Sequence, residues 1–333
     1  MRLAQQLDAR SAKWLPGGHL HTLWPAVQVR AQQRVGFNRP YVRERWHTPD
    51  GDFIEVDWQR AATKPRGLLV LFHGLEGSSQ SHYARALADV AQERGLDFVV
   101  PHFRGCGGTI NLAPRAYHSG DYEEIDWVLR RLRQHTALPL MAVGVSLGGN
   151  ALLRWAQEAG EHAAHTVAAL ASVSAPLDLH ASAQAMDRGF NKQVYTRAFL
   201  RTMKPKAMQK LAQFPGLFDA QALARVGTLL AFDNLVTAPL HGFRDALDYW
   251  RRASAMPAMA SIRVPALVVN ALDDPFVPAS SLPHAAQVAP SVTLCQPRSG
   301  GHVGFVQGRW PGQWKGIAQV LTSWLTDKAL VHG

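Results

Sequence analysis

Cysteine is scarce in this sequence, which contains only Cys106 and Cys295 among 333 residues. Two cysteines cannot build the disulfide framework that stabilises many secreted proteins. Apolar runs of about 18 residues, which a membrane-spanning helix would require, are missing too. The N-terminal residues have no apolar stretch long enough for a secretory signal. We therefore expect a cytoplasmic protein.

Motifs for metals, nucleotides and cofactors are missing as well. No set of cysteines and histidines has the spacing of a zinc site. The glycine-rich segments lack the G-K-S/T of a phosphate-binding loop, and they lack a G-x-G-x-x-G followed by the acidic residue of a dinucleotide site. The formal charge of +10 could suit a polyanion, but many enzymes are basic without binding one. We therefore expect no metal, no cofactor and no nucleic-acid partner.

What the sequence does contain is a regular alternation of strand-like and helix-like segments. Short apolar runs, typical of strands buried on both faces, occur at 67–72, 97–100, 139–145, 167–173, 266–270 and 292–295. Apolar residues with helical spacing occur at 81–94, 122–133, 150–159 and 314–325. A hairpin is expected before them, at 41–58. This order predicts an α/β fold with a mostly parallel central sheet flanked by helices.

One long segment breaks this alternation. Residues 177–256 are rich in helix-forming residues and contain no convincing strand. The segment precedes the last two strands, so it is expected to cover the carboxyl ends of the strands, where open α/β folds place their sites. We therefore divide the chain into a core of 1–176 and 257–333, with an N-terminal extension at 1–40, and a helical cap insertion at 177–256.

The segment Gly144-Val145-Ser146-Leu147-Gly148 follows one of the strand patterns and precedes a helical one. It fits G-x-S-x-G, the nucleophile elbow that characterises α/β-hydrolases. Small flanking residues allow a strand to turn sharply into a helix, which exposes the serine hydroxyl above the sheet. The start of that helix points its free N–H groups at a developing oxyanion. Ser146 is therefore the candidate nucleophile.

An acid and a histidine follow the serine in the chain order expected of this fold. Asp274 lies on the loop after the penultimate strand, and Pro275-Phe276-Val277-Pro278 completes the D-x-x-V-P pattern usual after the acid. Asp273 is the alternative acid, and either carboxylate could merely cap a turn. His302 lies in a glycine-rich loop just before the final helix. We predict that His302 is the general base and that Asp274 orients it.

Two backbone N–H groups are expected to form an oxyanion hole. His73-Gly74-Leu75-Glu76-Gly77 follows the first buried strand, where α/β-hydrolases carry an H-G-x motif. The N–H of Leu75 is the first predicted donor, and that of Leu147, directly after the nucleophile, is the second. His73 is expected to brace the loop. An ordinary tight turn is the alternative interpretation of this segment.

A second glycine-rich loop, at 103–108, follows the next strand. Cys106 lies in this loop but not at an elbow, so we expect it to pack rather than to act as a nucleophile. Arg104 is expected to brace the loop rather than to bind substrate.

Several longer motifs resemble the YheT/EMB8-like branch of the α/β-hydrolases, to which animal ABHD1- and ABHD3-type hydrolases are related. The motifs extend over nearly the whole chain and lie at 18–25, 73–79, 103–108, 144–150 and 232–243. The resemblance implies a carboxylesterase or lipase-like hydrolase with Ser146, Asp274 and His302 as its triad. Animal relatives act on lipid acyl esters, so the resemblance also implies a role in lipid metabolism.

These features predict a serine carboxylic-ester hydrolase that acts through an acyl-enzyme on Ser146, with a small acyl ester or a lipid as substrate. An acyltransferase that passes the acyl group to an alcohol would use the same residues, and only acceptor access and water exclusion would separate the two. A non-catalytic binding protein on this scaffold is a third possibility, although the intact serine, acid and histidine argue against it.

The cap offers candidate residues for two roles. Four apolar residues could line an acyl pocket: Phe199, Met203, Phe214 and Phe218. Packing against the core is an equally good interpretation of each. A helix expected at 194–204 would present three cations on one face: Arg197, Arg201 and Lys204. Such a face can simply be solvated, or it can make peripheral contact with an anionic membrane.

Overall fold

An eight-stranded sheet organises the chain in the computed structural model, which describes residues 2–34 and 41–331. Its strands are β1 (Val42–His47), β2 (Phe53–Gln59), β3 (Leu68–Phe72), β4 (Asp97–Pro101), β5 (Leu140–Val145), β6 (Ala169–Val173), β7 (Ala266–Val269) and β8 (Val292–Cys295). They lie in the order β1-β2-β4-β3-β5-β6-β7-β8. β1 pairs antiparallel with β2, as does β2 with β4, and the other neighbouring pairs are parallel. The predicted α/β fold with a mostly parallel sheet is confirmed.

Helices cover both faces of the sheet and fill the long connection before β7. In chain order they are α1 (Arg2–Arg10), α2 (Gly17–Arg34), α3 (His82–Glu93), α4 (Tyr122–His135), α5 (Leu147–Ala159), α6 (Ala163–Thr166), α7 (Leu179–Met186), α8 (Gly189–Asn191), α9 (Arg197–Gln213), α10 (Ala220–Arg225), α11 (Leu229–Phe232), α12 (Ala238–Leu240), α13 (Ala246–Ala253) and α14 (Lys315–Val331). Turns of π-helix occupy Lys192–Thr196 and Asp233–Thr237. Within the described segments, no helix is both long and apolar enough to span a bilayer.

The strand β3 shows why the sequences of the central strands are continuous apolar runs. Leu68, Val70 and Phe72 enter one buried apolar cluster, which is closed by α4 and α5. Leu69 and Leu71 enter a second cluster on the other face, which is closed by α3 and α14. Both faces of the strand are therefore buried, and no position in it favours a polar side chain.

The N-terminal extension, for which the sequence predicts no elements, contains α1 and α2. Leu7 of α1 joins the apolar cluster beneath α14, so the extension packs on the core rather than lying apart from it. The end of the predicted extension, at 35–40, lies outside the described residues. The helix predicted at 150–159 begins earlier than expected, at Leu147, because the chain becomes helical directly after Ser146.

The residues between β6 and β7 form a helical layer with an apolar cluster of its own. This layer contacts loops that leave the carboxyl ends of β3 and β7. Nζ of Lys206 lies 2.9 Å from Oε1 of Glu76, and the rings of Tyr195 and Phe276 pack with centroids 4.6 Å apart. We therefore propose that the segment 177–256 is the cap expected over this edge of the sheet.

The basic face predicted in this layer is only partly exposed. Instead of one helix at 194–204, the chain forms a π-helical turn followed by α9. Arg197 and Arg201 are exposed. Lys204 is not free, because its ammonium donates to two backbone carbonyls at the end of α10, at 2.6 Å and 3.1 Å. The expectation of three solvent-facing cations is therefore wrong at Lys204, while membrane contact through the other two stays a prediction.

A buried group of charges joins the hairpin of β1 and β2 to α4. The Arg104 side chain is 4% exposed and lies between three carboxylates. Its Nη1 is 2.8 Å from both Asp50 Oδ2 and Asp52 Oδ2, and its Nε donates to Glu124 Oε2 at 2.5 Å. Burial alone would raise the pKa of Asp52, but hydrogen bonds from its neighbours, led by Asn111, lower that pKa to about 2. Arg104 therefore braces its loop, as the sequence predicts.

We expect Arg104→Met to lower the free energy of unfolding by about 3–5 kcal/mol, because it leaves buried carboxylates without their cation. Arg130→Met is the matched control, since Arg130 is 69% exposed and pairs with Asp126 one helical turn away. Its loss should cost at most about 0.5 kcal/mol. Urea unfolding measures both values. Equal losses in the two variants would contradict a stabilising role for the buried charges.

Candidate active site

The turn from β5 into α5 is sterically constrained on both sides of its serine. Ser146 has φ 53° and ψ −120°, a positive-φ conformation that residues with side chains rarely adopt. A Cβ added to Gly148 would lie 2.4 Å from the carbonyl oxygen of Phe72 and 2.5 Å from that of His73. A Cβ added to Gly144 would lie 2.5 Å from the carbonyl oxygen of Gly148. Glycine is needed at Gly148 because α5 begins directly against the end of β3, and at Gly144 because the first turn of α5 lies directly against the end of β5.

The three residues predicted to form a triad lie in hydrogen-bonding contact. Ser146 Oγ is 2.8 Å from His302 Nε2. His302 Nδ1 is 2.9 Å from Oδ2 of Asp274 and 3.2 Å from its Oδ1. Both His302 and Asp274 are buried. A serine next to an imidazole that is oriented by a carboxylate is the arrangement that activates a hydroxyl for nucleophilic attack.

The two adjacent carboxylates, Asp273 and Asp274, have different partners. Asp273 Oδ1 accepts two backbone N–H groups of the glycine-rich histidine loop, at 2.9 Å and 2.8 Å. Asp274 contacts the imidazole, and its Oδ1 also accepts the amide of Phe276 at 2.8 Å. The Phe276 ring stacks on His302 with centroids 4.1 Å apart. Asp273 therefore shapes the loop, whereas Asp274 is the carboxylate that touches the histidine.

The N-terminal motif at 18–25 lies against the histidine loop, a role that sequence reasoning missed. The Thr22 hydroxyl accepts the backbone N–H of His302 at 2.8 Å and donates to the carbonyl of Gly18 at 2.7 Å. A Cβ on Gly18 would lie 1.7 Å from the carbonyl oxygen of Asp273. The motif itself was the available signal, but its partner lies 280 positions away in the chain. No local pattern could have connected the two.

The loop after β3 brings Leu75 beside the serine. A Cβ on Gly74 would lie 3.1 Å from the Cβ of Ser146, so glycine permits this close approach. Within the part of the chain that the structure describes, the amides of Leu75 and Leu147 donate to no protein acceptor. Both residues line the same cavity as Ser146. Their proposed role as oxyanion donors is compatible with this placement and stays a prediction.

Two other reactive side chains near the triad, His73 and Cys106, are not part of it. His73 donates from Nδ1 to the carbonyl of Gly74 at 2.8 Å, and its Nε2 accepts the amide of Phe103 at 3.1 Å. Burial lowers the pKa of His73 to about 3, so it is a neutral brace between two loops. Burial also raises the pKa of the Cys106 thiol to about 11, which disfavours the reactive thiolate. Among the described residues, no group of histidine, cysteine and carboxylate side chains could hold a metal ion.

A cavity of about 180 Å³ extends from Ser146 and His302 beneath the helical insertion. Much of its wall is apolar and comes from that insertion: Leu179, Ala183, Met186, Phe232, Val236 and Leu240. A cavity with apolar walls and polar reacting groups at one position is typical of a small-molecule site. The apolar part of this wall can bury hydrocarbon, while Ser146 and His302 lie at its polar part.

Two of the four residues predicted to line this cavity do so. Phe199 and Met203 line it from α9. Phe214 and Phe218 lie outside it, so the prediction is wrong for both. Phe214 follows the end of α9, where its ring lies 5.8 Å from the ammonium of Lys210. Phe218 packs into the apolar cluster within the insertion. Phe214 and Phe218 lie outside the cavity because they follow α9, and this helix continues beyond the cavity.

Known proteins match the chain over most of its length. The family model described as alpha/beta hydrolase fold matches residues 67–309. YheT of Escherichia coli (strain K12), whose name provisionally describes it as an esterase, is 41% identical over 317 residues, which are 92% of this chain and 90% of that protein. Human phospholipase ABHD3 is 28% identical over 284 residues, which are 82% of this chain and 68% of that protein. The resemblance inferred from the sequence motifs is confirmed.

Solved structures resemble the chain in fold. Alpha/beta hydrolase domain-containing protein 10 from mouse aligns with a TM-score of 0.54, covering 86% of this chain and 99% of that one. The two sequences are 15% identical, so this likeness supports the fold alone.

We expect Asp274→Asn to lower kcat for a p-nitrophenyl ester by about 10⁴-fold, because an amide cannot hold the imidazole in the required tautomer. Asp273→Asn should keep most of the activity, because its amide oxygen can still accept the two backbone N–H groups of the histidine loop. Circular dichroism checks that both variants are folded. A larger loss in Asp273→Asn than in Asp274→Asn would make Asp273 the acid.

Proposed function

The chain belongs to the α/β-hydrolase family, and we propose that it is a serine carboxylic-ester hydrolase that forms an acyl-enzyme on Ser146. One observation carries the proposal: Ser146 Oγ lies 2.8 Å from His302 Nε2, and His302 Nδ1 lies 2.9 Å from Asp274. The serine and the histidine also line a mainly apolar cavity. The names of YheT and ABHD3, an esterase and a phospholipase, support ester cleavage as the reaction.

In the first half of the proposed reaction, the serine is acylated. His302 accepts the hydroxyl proton while Ser146 Oγ attacks the ester carbonyl carbon. Asp274 keeps the proton on Nδ1 and stabilises the imidazolium that forms. The N–H groups of Leu75 and Leu147 donate to the oxyanion. The tetrahedral intermediate then collapses, and the leaving alkoxide takes the proton from His302 and departs as an alcohol.

In the second half, water releases the acyl group. His302 takes a proton from the water as its oxygen attacks the acyl carbonyl carbon, and a second tetrahedral intermediate forms. Its collapse releases a carboxylic acid and returns the proton to Ser146 Oγ. An alcohol in place of water would give an ester, which is the acyl-transfer alternative. Product analysis with and without added alcohol distinguishes the two outcomes.

The substrate class follows from the walls of the cavity. We propose an acyl ester or lipid whose hydrocarbon chain lies along the apolar side chains of the insertion, among them Phe232 and Val236. Burial of each methylene against such a wall contributes about 0.8 kcal/mol. The reacting carbonyl would then lie at Ser146, beside His302.

Labelling with a fluorophosphonate tests the nucleophile directly. The wild-type protein should be labelled and should hydrolyse p-nitrophenyl esters, whereas Ser146→Ala should not be labelled. Ser146→Ala and His302→Ala should each lower kcat by about 10⁴- to 10⁶-fold, and the double variant should be little worse, since the triad acts as a unit. Unfolding midpoints confirm that the variants are folded. Unchanged hydrolysis by Ser146→Ala would contradict the proposal.

A larger side chain on the apolar wall of the cavity should change the preferred length of the acyl chain. Val236→Trp inserts a large ring into the cavity and should shift the preference toward shorter p-nitrophenyl esters, with the ratio of kcat/KM for butyrate over decanoate rising by about tenfold or more. Leu230→Trp is the matched control, because Leu230 is 41% exposed and does not line the cavity. A chain-length series from acetate to laurate measures the shift. An unchanged profile in Val236→Trp would exclude this wall as the acyl site.

A further inference from the structure

A polar cluster lies beside the proposed oxyanion loop, and the reaction steps above do not use it. Its members, Glu76, Tyr117 and Lys206, all line the cavity. Oε1 of Glu76 accepts the Tyr117 hydroxyl at 2.8 Å and the Lys206 ammonium at 2.9 Å. The Tyr117 hydroxyl in turn accepts the backbone N–H of Glu76 at 2.9 Å. Glu76 is therefore held through both its main chain and its side chain.

These contacts hold the backbone amide of Glu76, the residue directly after the proposed oxyanion donor Leu75. The amide of Gly74 donates to the Tyr83 hydroxyl at 3.0 Å, and the amide of Glu76 donates to Tyr117. The Leu75 amide lies between these two anchored amides and has no protein acceptor within the described residues. Because both of its neighbours are fixed, the Leu75 N–H has little freedom to rotate. An oxyanion hole needs donors that are held in place before charge develops.

The backbone of Glu76 needs this support. Its φ is 56°, which is uncommon for a residue with a side chain. Such a conformation persists when the surrounding contacts over-determine it. The bonds to Tyr117 and Lys206 add to the backbone bond that closes this turn, from the N–H of Gly77 to the carbonyl of Gly74 at 2.9 Å. If they were lost, Glu76 could relax to a more common φ, and the loop that carries Leu75 would move with it.

Lys206 comes from a different layer of the protein. It lies on α9 in the helical insertion, whereas Glu76 and Tyr117 belong to loops of the core. The ion pair is partly shielded from water, with side-chain exposures of 31% for Lys206 and 10% for Glu76. Shielding makes such a pair less sensitive to screening than one on the surface. Lys206 also lies 3.4 Å from the sulfur of Cys106, a weaker contact in the same cluster.

We propose that Glu76 is a positioning residue for the oxyanion hole and that Lys206 makes its position depend on the helical insertion. The proposal rests on the proposed function, because it needs an oxyanion at Ser146. An insertion that is seated on the core holds Lys206 against Glu76 and so keeps the Leu75 amide in place. Displacement of α9 withdraws the ammonium and loosens the loop. The insertion therefore completes the catalytic geometry in addition to enclosing the acyl chain.

Steady-state kinetics of Glu76→Ala and Lys206→Met test this role. Oxyanion donors act in the transition state, so kcat should fall while KM changes little. Removal of a whole donor lowers kcat by about 10²- to 10³-fold, so disordering one should cost less, about 10- to 100-fold in Glu76→Ala and about tenfold in Lys206→Met. Arg225→Met removes an exposed cation of the same insertion and should leave kcat unchanged.

Conservative and double variants separate positioning from a loss of folding. Lys206→Arg keeps the cation and should restore most of kcat. Glu76→Gln keeps an acceptor for Tyr117 but removes the charge, so it should resemble Lys206→Met. If the pair acts as a unit, Glu76→Ala combined with Lys206→Met should be no slower than Glu76→Ala alone. Urea unfolding midpoints of all variants check the fold.

Inhibition by a trifluoromethyl ketone distinguishes positioning from stabilisation of the fold. A residue that only stabilises the fold should leave the inhibition constant Ki unchanged. The ketone forms a tetrahedral adduct with serine, so its Ki should rise in parallel with the loss of kcat/KM. Variants that bind the ketone as the wild type does, or that change KM alone, would overturn the role of Glu76. Fluorophosphonate labelling is run alongside. Wild-type protein that is neither labelled nor active would overturn the proposed function itself, whereas full labelling with unchanged kinetics in the variants would overturn the positioning role alone.

Discussion

The site depends on the close contact between the end of β3 and the start of α5. The backbone carbonyls of Phe72 and His73 leave no room for a Cβ at Gly148, the second residue of α5, so the first turn of this helix needs glycine there. Ser146, at the turn beside this contact, has a positive φ, and such a sharp turn from strand to helix exposes a serine hydroxyl at the carboxyl edge of the sheet. The same contact places the first turn of α5 beside the loop of Leu75. The proposed nucleophile and both proposed oxyanion donors therefore lie around this one close contact.

The remaining site residues are positioned by contacts between loops that are distant in the chain. Thr22 of α2 holds the backbone of His302, and Asp273 holds the glycine-rich loop on which the histidine lies. Phe276 covers the imidazole and also donates its amide to Asp274. None of these supporting residues needs to react with a substrate. Their effect is to hold the imidazole in one orientation, which the proposed activation of Ser146 requires before substrate arrives.

The helical insertion contributes to the site in two ways. Its apolar side chains form much of the cavity wall, so it determines how much hydrocarbon the cavity can bury. Its Lys206 pairs with the carboxylate of Glu76, one residue beyond Leu75, so it also contacts the loop beside Ser146. Because the insertion lines the cavity and also contacts the loop of Leu75, it can couple enclosure of a substrate to the geometry of the site. Lys204, another cation of the same segment, instead donates to the carbonyls at the end of α10.

The sequence by itself determined the alternation of strands and helices, the elbow at Ser146 and the order of acid and histidine. These are local properties: apolar periodicity follows from burial of each element, and the glycines of the elbow follow from a turn of a few residues. Only the tertiary structure decided that Asp274 rather than Asp273 faces His302, and that Thr22 supports it. It also decided that Phe214 lies outside the cavity. Such outcomes depend on which distant surfaces come within a few ångströms of one another, and no local pattern of residues carries that information.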